Sequence, residues 1–288
     1  MFEQLGLIGC GLMGGSFALA LKKAGLVKRV VGYSKSPSTT EKARHLGVID
    51  VEAPSALLAV SGADLVLLAV PVAATEASFK AMKHLLNAKT LLMDVGSTKR
   101  DVVEAARRTL GNHLGTFVPA HPIAGKELAG IEHADANLYS GKQVILTPIE
   151  RTLTAQLRQA EAVWQALGCR VRQMSPQAHD AAYAKVSHLP HLLAFAYMNG
   201  IVDQGQSSEA LTLAGPGFRD FTRIAASDPK VWRDIFSANK DELLEQSRCF
   251  RQALLALEQA IAQGQLDALT DLIAQANQAR SGWAPPSP

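Results

Sequence analysis

The sequence predicts an α/β doubly wound sheet followed by an all-helical second half. Short apolar runs alternate with helix-like stretches through the first half, and the strand signal stops at about residue 175. Runs such as Leu5–Ile8 and Asp64–Val70 are continuously apolar, which is typical of parallel strands buried on both faces. Strands that alternate with helices at this spacing predict a doubly wound sheet. We therefore expect one domain over residues 1–174 and a second over residues 175–288.

The first half contains seven predicted strands, each a short run rich in apolar residues. They are Leu5–Ile8, Arg29–Tyr33, Asp64–Val70, Thr90–Val95, Thr116–Ala120, Gln143–Leu146 and Arg170–Met174. The helix-like stretches between them include Gly14–Lys23, Thr39–Leu46, Ala73–Leu86 and Asp101–Leu110. Gly25, Gly47 and Gly111 stand where helices would end, a position that glycine favours.

The second half has a helical pattern, because its apolar residues recur at intervals of three and four. The predicted helices are Asp180–His188, His191–Val202, Asp228–Arg248 and Phe250–Leu272. Some of these stretches are apolar nearly all round and would need a partner surface. We therefore expect a homodimer built from this half.

Composition and charge exclude several classes of protein. Of the 288 residues 48% are hydrophobic and 19% are charged, which supplies a core and argues against a disordered chain. The net charge of +3 comes without a long basic run, so nucleic-acid binding is not expected. Cys10, Cys169 and Cys249 fit no disulfide framework and no zinc spacing. Without a signal sequence or a membrane-spanning apolar run, we expect a cytoplasmic protein with no membrane association.

A glycine-rich loop follows the first predicted strand and opens the first helix. Gly9, Gly11 and Gly14, with Leu12 and Met13 between the last two, form the pattern G-x-G-x-x-G. The first glycine permits a tight turn, the second a close approach of the backbone to a pyrophosphate, and the third close packing of helix and strand. The helix N-terminus then offers free N–H groups to the phosphates. The sequence therefore predicts a dinucleotide site, with a ligand-free glycine turn as the weaker alternative.

The end of the second strand favours NADP over NAD. An NAD site usually has an acidic residue there for the ribose hydroxyls, whereas this chain has Ser34 followed by Lys35. Hydroxyls and a lysine would bind a 2′-phosphate that a carboxylate would repel. The alternative is an ordinary polar loop, with the cofactor preference set elsewhere. Beyond the glycine loop, the predicted cofactor contacts are Ser34, Lys35, Ser36, Thr39, Val70 and Pro71.

Two polar segments stand at the ends of later strands, where an open α/β sheet binds its ligands. They are Asp94–Lys99 and His121–Glu127. His121 is a natural general base because the pKa of a histidine lies close to working pH. The alternative for His121 is a structural loop histidine. His188 and His191, even with His179, fit no strong metal motif, so no metal is expected.

Five segments together resemble the prephenate/arogenate (cyclohexadienyl) dehydrogenase family of tyrosine biosynthesis. These segments are Gly9–Gly14, Asp94–Lys99, His121–Glu127, Ser187–His191 and Gly217–Arg223, and the resemblance extends from Leu5 to about Leu272. It implies an α/β Rossmann-type doubly wound sheet followed by an all-α dimerisation domain. It also implies oxidative decarboxylation of prephenate or arogenate, with hydride transfer to NAD or NADP. The choice between these two substrates stays open, and tyrosine is a candidate inhibitor.

The resemblance also implies roles for individual residues. His121 would be the catalytic histidine, and Ser97 would hold the substrate hydroxyl and the histidine in place. His188 would lie on the substrate side, and Arg223 would bind the ring carboxylate. The further residues expected to line or gate the pocket are Glu127, Asp220 and Trp232. The chain departs from the family at Lys126, where a smaller residue is common, and at Ser34, which replaces an acidic residue.

Two other functions compete with this interpretation. A β-hydroxyacid dehydrogenase would share the sequence of the glycine loop, but it needs a catalytic lysine in a G-x-x-x-K helix, and Lys185 lacks that glycine. A non-catalytic NADP-sensing protein would be expected to lack the catalytic histidine. His121, Ser97 and Arg223 are all present, so we rank that alternative last.

Overall fold

The structure is a computed structural model that describes residues 1–125, 128–205 and 207–284. The described residues of the first half form nine strands: β1 Phe2–Ile8, β2 Val27–Tyr33, β3 Val51–Glu52, β4 Leu65–Leu68, β5 Leu91–Asp94, β6 Phe117–Val118, β7 Ala120–Pro122, β8 Gln143–Leu146 and β9 Arg170–Gln173. The helices of this half are α1 Leu12–Lys23, α2 Pro37–His45, α3 Ala56–Val60, α4 Thr75–Met82, α5 Arg100–Thr109 and α6 Thr154–Ala166. The helices of the second half are α7 Pro176–Tyr183, α8 Leu189–Val202, α9 Ser207–Thr212, α10 Pro216–Thr222, α11 Pro229–Ala238, α12 Lys240–Ala262 and α13 Leu266–Ser281.

The main sheet has six parallel strands in the order β3-β2-β1-β4-β5-β6. The chain fills one side of β1 first and then crosses to the other side, so the strand order reverses between β1 and β4. A doubly wound sheet binds its ligands at this reversal, beyond the carboxyl ends of the strands. The predicted doubly wound α/β fold is confirmed.

Two of the predicted strands belong to a separate sheet of three strands, in the order β7-β8-β9. β7 runs antiparallel to β8, and β9 runs parallel to it. The chain leaves the main sheet after β6 because Pro119 has no N–H group, and because the Asp94 side chain accepts the Ala120 N–H at 2.9 Å. His121 therefore lies within β7 of the small sheet, opposite Ile145, rather than at the end of a main-sheet strand.

The helical half differs from the sequence prediction at its breaks. The predicted helix Asp228–Arg248 is wrong, because α11 ends before Asn239 and α12 continues past Phe250 to Ala262. Asn239 leaves the helical path to hydrogen-bond another helix through its side chain. The predicted helix Phe250–Leu272 is interrupted at Gly264, whose φ of +64° ends α12. A single π-helical turn joins α7 to α8 over Ala184–His188.

The apolar core lies on both faces of the main sheet. On one face the rings of Phe17, Tyr139 and Trp164 are fully buried and contact one another. On the other face Phe79 packs edge-on against Phe117, with ring centroids 5.2 Å apart. The first half thus folds around its own core and fixes the edge of the sheet on which the candidate site lies. No helix in the described part of the chain is both long and apolar enough to cross a bilayer.

Candidate active site

The glycine loop has the geometry that a dinucleotide needs. Gly9 adopts a φ of +98°, and a Cβ atom there would lie 2.2 Å from the carbonyl oxygen of Ala69. A Cβ atom on Gly14 would lie 2.2 Å from the carbonyl oxygen of Gly9, whereas one on Gly11 would meet open space. The first and third glycines are therefore required by packing. Gly11, the N-cap of α1 without a side-chain cap, leaves the start of the helix open to a phosphate.

Ser34 supports the glycine loop directly. Its hydroxyl oxygen accepts a hydrogen bond from the backbone N–H of Cys10 at 2.8 Å, and its own N–H donates to Thr40 Oγ1 at 3.1 Å. The end of β2 is thereby fastened to the loop that would hold the pyrophosphate. Lys35 and Ser36 lie next to Ser34 in the sequence and are exposed, so both side chains are accessible to an anion from solvent.

The other predicted cofactor residues lie on the same side of the sheet. Thr39 is half-buried in the first turns of α2. Val70 and Pro71 follow β4, which is separated from β2 by β1 in the sheet. Val70 packs against the core. These residues and the glycine loop follow the neighbouring parallel strands β1, β2 and β4. They therefore lie beyond the carboxyl ends of these strands, where the strand order reverses.

A buried ion pair fastens the next segment of the site. Lys99 Nζ donates to the carboxylate of Asp94, and both side chains are almost fully buried. The same ammonium group donates to the carbonyl oxygen of Ala120 at 2.8 Å, while Asp94 Oδ1 accepts the Ala120 N–H. The backbone immediately before His121 is therefore clamped on both sides. Ser97 lies half-buried in the loop between the two charged residues.

His121 makes a side-chain hydrogen bond to the helical half. Its Nδ1 lies 2.8 Å from Nε2 of His179 in α7, and Nδ1 of His179 lies 2.7 Å from Oδ1 of Asp180. The ring of Tyr183 stacks on His179, with centroids 4.5 Å apart and planes 29° apart. Nδ1 of His121 is thus engaged by the protein, and no hydrogen bond joins its Nε2 to another described residue.

Asp180 also joins the two halves of the molecule. Its carboxylate accepts the backbone N–H groups of Lys99 and Arg100, each at 2.9 Å, at the start of α5. The backbone carbonyl of Asp180 accepts a hydrogen bond from Asn239 Nδ2 at 2.8 Å. The same amide group lies 3.1 Å from Nδ1 of His188. Asp180 therefore connects the first half to two positions of the helical half.

His188 is buried at the end of the π-helical turn, beside the ring of Trp232. Trp232 in α11 approaches it edge-on, with centroids 6.2 Å apart, and stacks on His191 at 3.5 Å. Asn239 can only donate through Nδ2, so Nδ1 of a neutral His188 is the acceptor and Nε2 carries the hydrogen. Burial lowers the pKa of His188 to about 4, so this neutral form prevails near pH 7.

His121 is held neutral by its surroundings. Burial, followed by electrostatic interactions with His179, Lys99 and His188 that disfavour a second positive charge, lowers the pKa of His121 well below 6.5. An unprotonated imidazole is the form that can accept a proton. The arrangement is therefore suited to proton abstraction near pH 7.

The remaining predicted residues lie farther out. Arg223 is exposed in the turn after α10, close enough to His191 to reinforce, after burial, the lowering of the pKa of that histidine. Asp220 is exposed and its carboxylate lies 3.7 Å from Arg219. Glu127 lies outside the described residues. The structure thus joins His121, His188 and Trp232 through contacts in the interior, and it leaves Arg223 at the rim.

Sequence reasoning missed three polar residues of this site. His179 was considered only as a metal ligand, and Asp180 and Asn239 received no role. An adjacent His-Asp pair at the start of a predicted helix was the available signal for the first two. Nothing local marked Asn239, because its partners lie 59 and 51 residues away in the sequence.

Comparisons with known proteins identify the family to which the chain belongs. Residues 17–173 match the family described as prephenate dehydrogenase, nucleotide-binding domain, and residues 175–275 match prephenate dehydrogenase, dimerization domain. The chain is 37% identical over 251 residues to the prephenate dehydrogenase of Bacillus subtilis, covering 85% of this chain and 66% of that protein. It is 34% identical over 282 residues to the cyclohexadienyl dehydrogenase of Zymomonas mobilis, covering 97% and 96%.

A solved structure agrees over the same length. The crystal structure of prephenate dehydrogenase from A. aeolicus in complex with hydroxyphenyl propionate and NAD+ has 36% sequence identity and a TM-score of 0.90, and the match covers 98% of each chain. The resemblance drawn from the five segments is confirmed. The chain, an oxidoreductase by these matches, belongs to the prephenate dehydrogenase family.

Proposed function

We propose that this chain oxidatively decarboxylates prephenate, arogenate or both, to give 4-hydroxyphenylpyruvate or tyrosine. The observation that carries the proposal is the position of His121. This neutral histidine follows Ala120, whose backbone is held by Asp94 at the end of β5 and by Lys99, and its Nδ1 is bonded to the helical half. Its Nε2, which has no hydrogen bond to another described residue, would face the substrate. The names of the relatives in Bacillus and Zymomonas support this substrate class.

The proposed mechanism divides the work among few residues. His121 accepts the proton of the ring hydroxyl, and Ser97 holds that hydroxyl and the imidazole in register, a positioning effect. Arg223 binds the ring carboxylate until it leaves as carbon dioxide, because a planar guanidinium grips a carboxylate through two hydrogen bonds. His188 offers its Nε2–H to the substrate from the opposite half. Asp220, Trp232 and Glu127 line the pocket by resemblance to the family.

The cofactor is a nicotinamide dinucleotide, which when bound would supply the hydride acceptor for the substrate carbon that bears the hydroxyl. We propose NADP in preference to NAD, because Lys35 and the hydroxyls around it offer donors where an acidic residue would repel a 2′-phosphate. Ser34 can still donate its hydroxyl hydrogen while its oxygen accepts from Cys10. Gly9, Gly11, Leu12, Met13 and Gly14 would hold the pyrophosphate, and Val70 and Pro71 would flank the nicotinamide side.

We also propose a homodimer through the helical half. Phe250, Leu254 and Ile261 stand on one face of α12, and all three are exposed, Ile261 by 64%. Residues four and seven apart share a helix face, so they form a continuous apolar stripe. An exposed stripe of this kind favours a protein partner, and a second copy supplies the same surface.

Three smaller expectations complete the proposal. The division at residues 174 and 175 separates nucleotide binding from dimerisation. A cytoplasmic location fits three cysteines that form no disulfide. Tyrosine, as the end product, is a candidate inhibitor, which a titration of the assay described next would test.

The direct experiment is an absorbance assay of reduced nicotinamide. The purified protein is incubated with prephenate and then with arogenate, each with NAD and with NADP. We expect turnover with at least one substrate and a higher kcat/KM with NADP. The proposed activity would be contradicted if neither prephenate nor arogenate led to reduction of NAD or NADP, or if the protein turned over a β-hydroxyacid instead.

A further inference from the structure

We propose that His121, His179 and Asp180 form a hydrogen-bonded relay that fixes which nitrogen of His121 receives the substrate proton. His179 and Asp180 are positioning residues in this relay, and neither one takes the proton itself. The inference rests on the proposed role of His121 as the base. It adds to that role two residues of the helical half that set the tautomer of a histidine in the other half.

The order of hydrogens along the relay follows from its inner end. The Asp180 carboxylate receives three N–H groups, from His179 Nδ1 at 2.7 Å and from the backbones of Lys99 and Arg100 at 2.9 Å. Burial alone would raise the pKa of Asp180, but hydrogen bonds from His179 and the two backbone amides outweigh it, and the pKa is lowered. An ionised carboxylate can only accept, so the hydrogen of that contact belongs to Nδ1 of His179.

The next link follows in the same way. Burial lowers the pKa of His179, which therefore carries one hydrogen near pH 7. With that hydrogen on Nδ1, its Nε2 offers a lone pair to His121, 2.8 Å away. His121 must donate to it through Nδ1–H, and its Nε2 is left with a lone pair. The relay thus selects the tautomer of His121 whose Nε2 is a base.

The surroundings hold the two rings in this arrangement. Tyr183 stacks on His179 and lies 4.9 Å from His121, centroid to centroid. Lys99 holds the backbone of Ala120, the residue before His121. Among the described residues, the titratable groups that face His121 are His179, Tyr183, Lys99 and His188. When the substrate hydroxyl gives its proton to Nε2 of His121, the new imidazolium keeps its Nδ1–H bond to a ring polarised by the Asp180 carboxylate.

A pair of substitutions at His179 tests the relay. The oxygen of His179→Gln can still accept from His121 Nδ1–H, whereas His179→Leu has no acceptor. We expect the glutamine variant to keep kcat within about tenfold of wild type. The leucine variant should lose roughly a hundredfold in kcat with little change in KM, the low end of the worth of a positioned base. Equal kcat values for the two variants would overturn the relay. They would show that a hydrogen-bond acceptor at position 179 does not matter, as expected if His179 only fills space.

The matched controls are His84→Gln and His84→Leu, because His84 is exposed and remote from these contacts. The pH profile gives a second readout. Because the pKa of His121 lies below 6.5, wild-type kcat/KM should fall only as the pH drops through that lowered pKa. The glutamine variant should keep this acid limb below pH 6.5, and a limb that moves to 6.5 or above in this variant would contradict the relay.

A spectroscopic measurement on the wild-type protein avoids any variant that fails to fold. In ¹⁵N-histidine NMR at pH 7, His121 should show a protonated Nδ1 and an unprotonated Nε2, and the Nε2–H tautomer would overturn the relay. The variant His121→Asn identifies the resonance and separates the two proposals. Near wild-type turnover of that variant overturns the base assignment and the relay with it. Lost turnover there, with both His179 variants fully active, overturns the relay alone.

Discussion

The α/β half and the helical half bury their apolar side chains in different ways. In the first half the sheet is covered on both faces, and residues such as Leu67 and Phe117 have no exposed surface. In the helical half the large apolar side chains stand largely outside, with Leu213 exposed by 83% and Leu266 by 70%. The first half is therefore stabilised by its own core, and the second half depends on surfaces that another chain can cover.

The contacts between the two halves next to His121 are polar. Asp180 accepts the N–H groups that open α5, and Arg100 Nη1 donates to Glu242 of α12 at 3.2 Å. Hydrogen bonds fix direction and distance more narrowly than apolar contact does. We infer from this difference that the first half supplies stability, whereas the polar seam between the halves, formed by Asp180, Arg100 and Glu242, helps to align His121 in the proposed mechanism.

The largest expected effect is at that seam. His121→Asn should lower kcat by about 10²–10⁴-fold, the usual worth of a positioned general base, and leave substrate binding nearly intact. The asparagine side chain retains polarity but cannot take up the proton. Steady-state kinetics together with a melting curve check the result, and a folded variant with near wild-type kcat would remove His121 from the mechanism.

A matched pair of leucines tests the contrast in burial. Leu67→Ala, in the core of the first half, should lower the free energy of unfolding by about 2–5 kcal/mol, because it leaves a cavity. Leu254→Lys, on the exposed stripe of α12, should barely change the unfolding of the first half. It should instead weaken the dimer at least tenfold, by roughly 1.4 kcal/mol. Denaturant melts and sedimentation at several concentrations measure the two effects.

The contrast between the halves fails if the results are reversed. A Leu254→Lys protein that sediments like wild type at every concentration would show that the stripe is not a subunit interface. A Leu67→Ala protein that is as stable as wild type would show that the first half does not depend on its own core.

Arg223 tests whether the rim of the helical half reaches the substrate. Arg223→Ala should raise KM through the loss of a charge-assisted hydrogen bond, worth about 1.5–3 kcal/mol. Cofactor binding should not change, because the glycine loop belongs to the other half. Titrations of substrate and cofactor, each followed separately, measure both affinities. A weakened cofactor with an unaffected substrate would mean that Arg223 has been misassigned.

The smallest expected effect concerns the cofactor and lies wholly in the first half. We expect a preference for NADP of about ten- to a hundredfold, roughly 1.4–2.7 kcal/mol, because Lys35 is exposed and its field is screened by salt. Ser34→Asp should shift the preference toward NAD, since a carboxylate would bind the ribose hydroxyls and repel the phosphate. The kcat/KM values for both cofactors in both proteins measure the shift.

The control for this last change is Ser61→Asp, at an exposed position between α3 and β4, where β4 begins rather than at the carboxyl ends of the strands. Equal or better use of NAD by the wild-type protein would show that this loop does not face the 2′ position. Because Ser34 also accepts from Cys10, a general loss of binding to both cofactors in Ser34→Asp would point to a disturbed glycine loop instead.

Several features of the molecule were determined by the sequence alone. The continuous apolar runs predicted the parallel strands, and the spacing of Gly9, Gly11 and Gly14 predicted the loop that follows β1. His121 could also be singled out, because its polar segment was predicted to follow a strand, although the structure places His121 itself within β7. These features are local, since side-chain periodicity, the φ angles open to glycine and the direction of a strand act over a few residues.

Only the tertiary structure decided which polar groups meet. His121 and His179 are 58 residues apart, and Asp180 reaches the start of α5 across 80 residues. The second sheet and the break at Asn239 likewise depend on hydrogen bonds between distant elements. Such bonds form where packing brings two groups within about 3 Å, and no local pattern encodes that distance. The sequence therefore determined the candidate base, and the packing of the two halves decided what holds it.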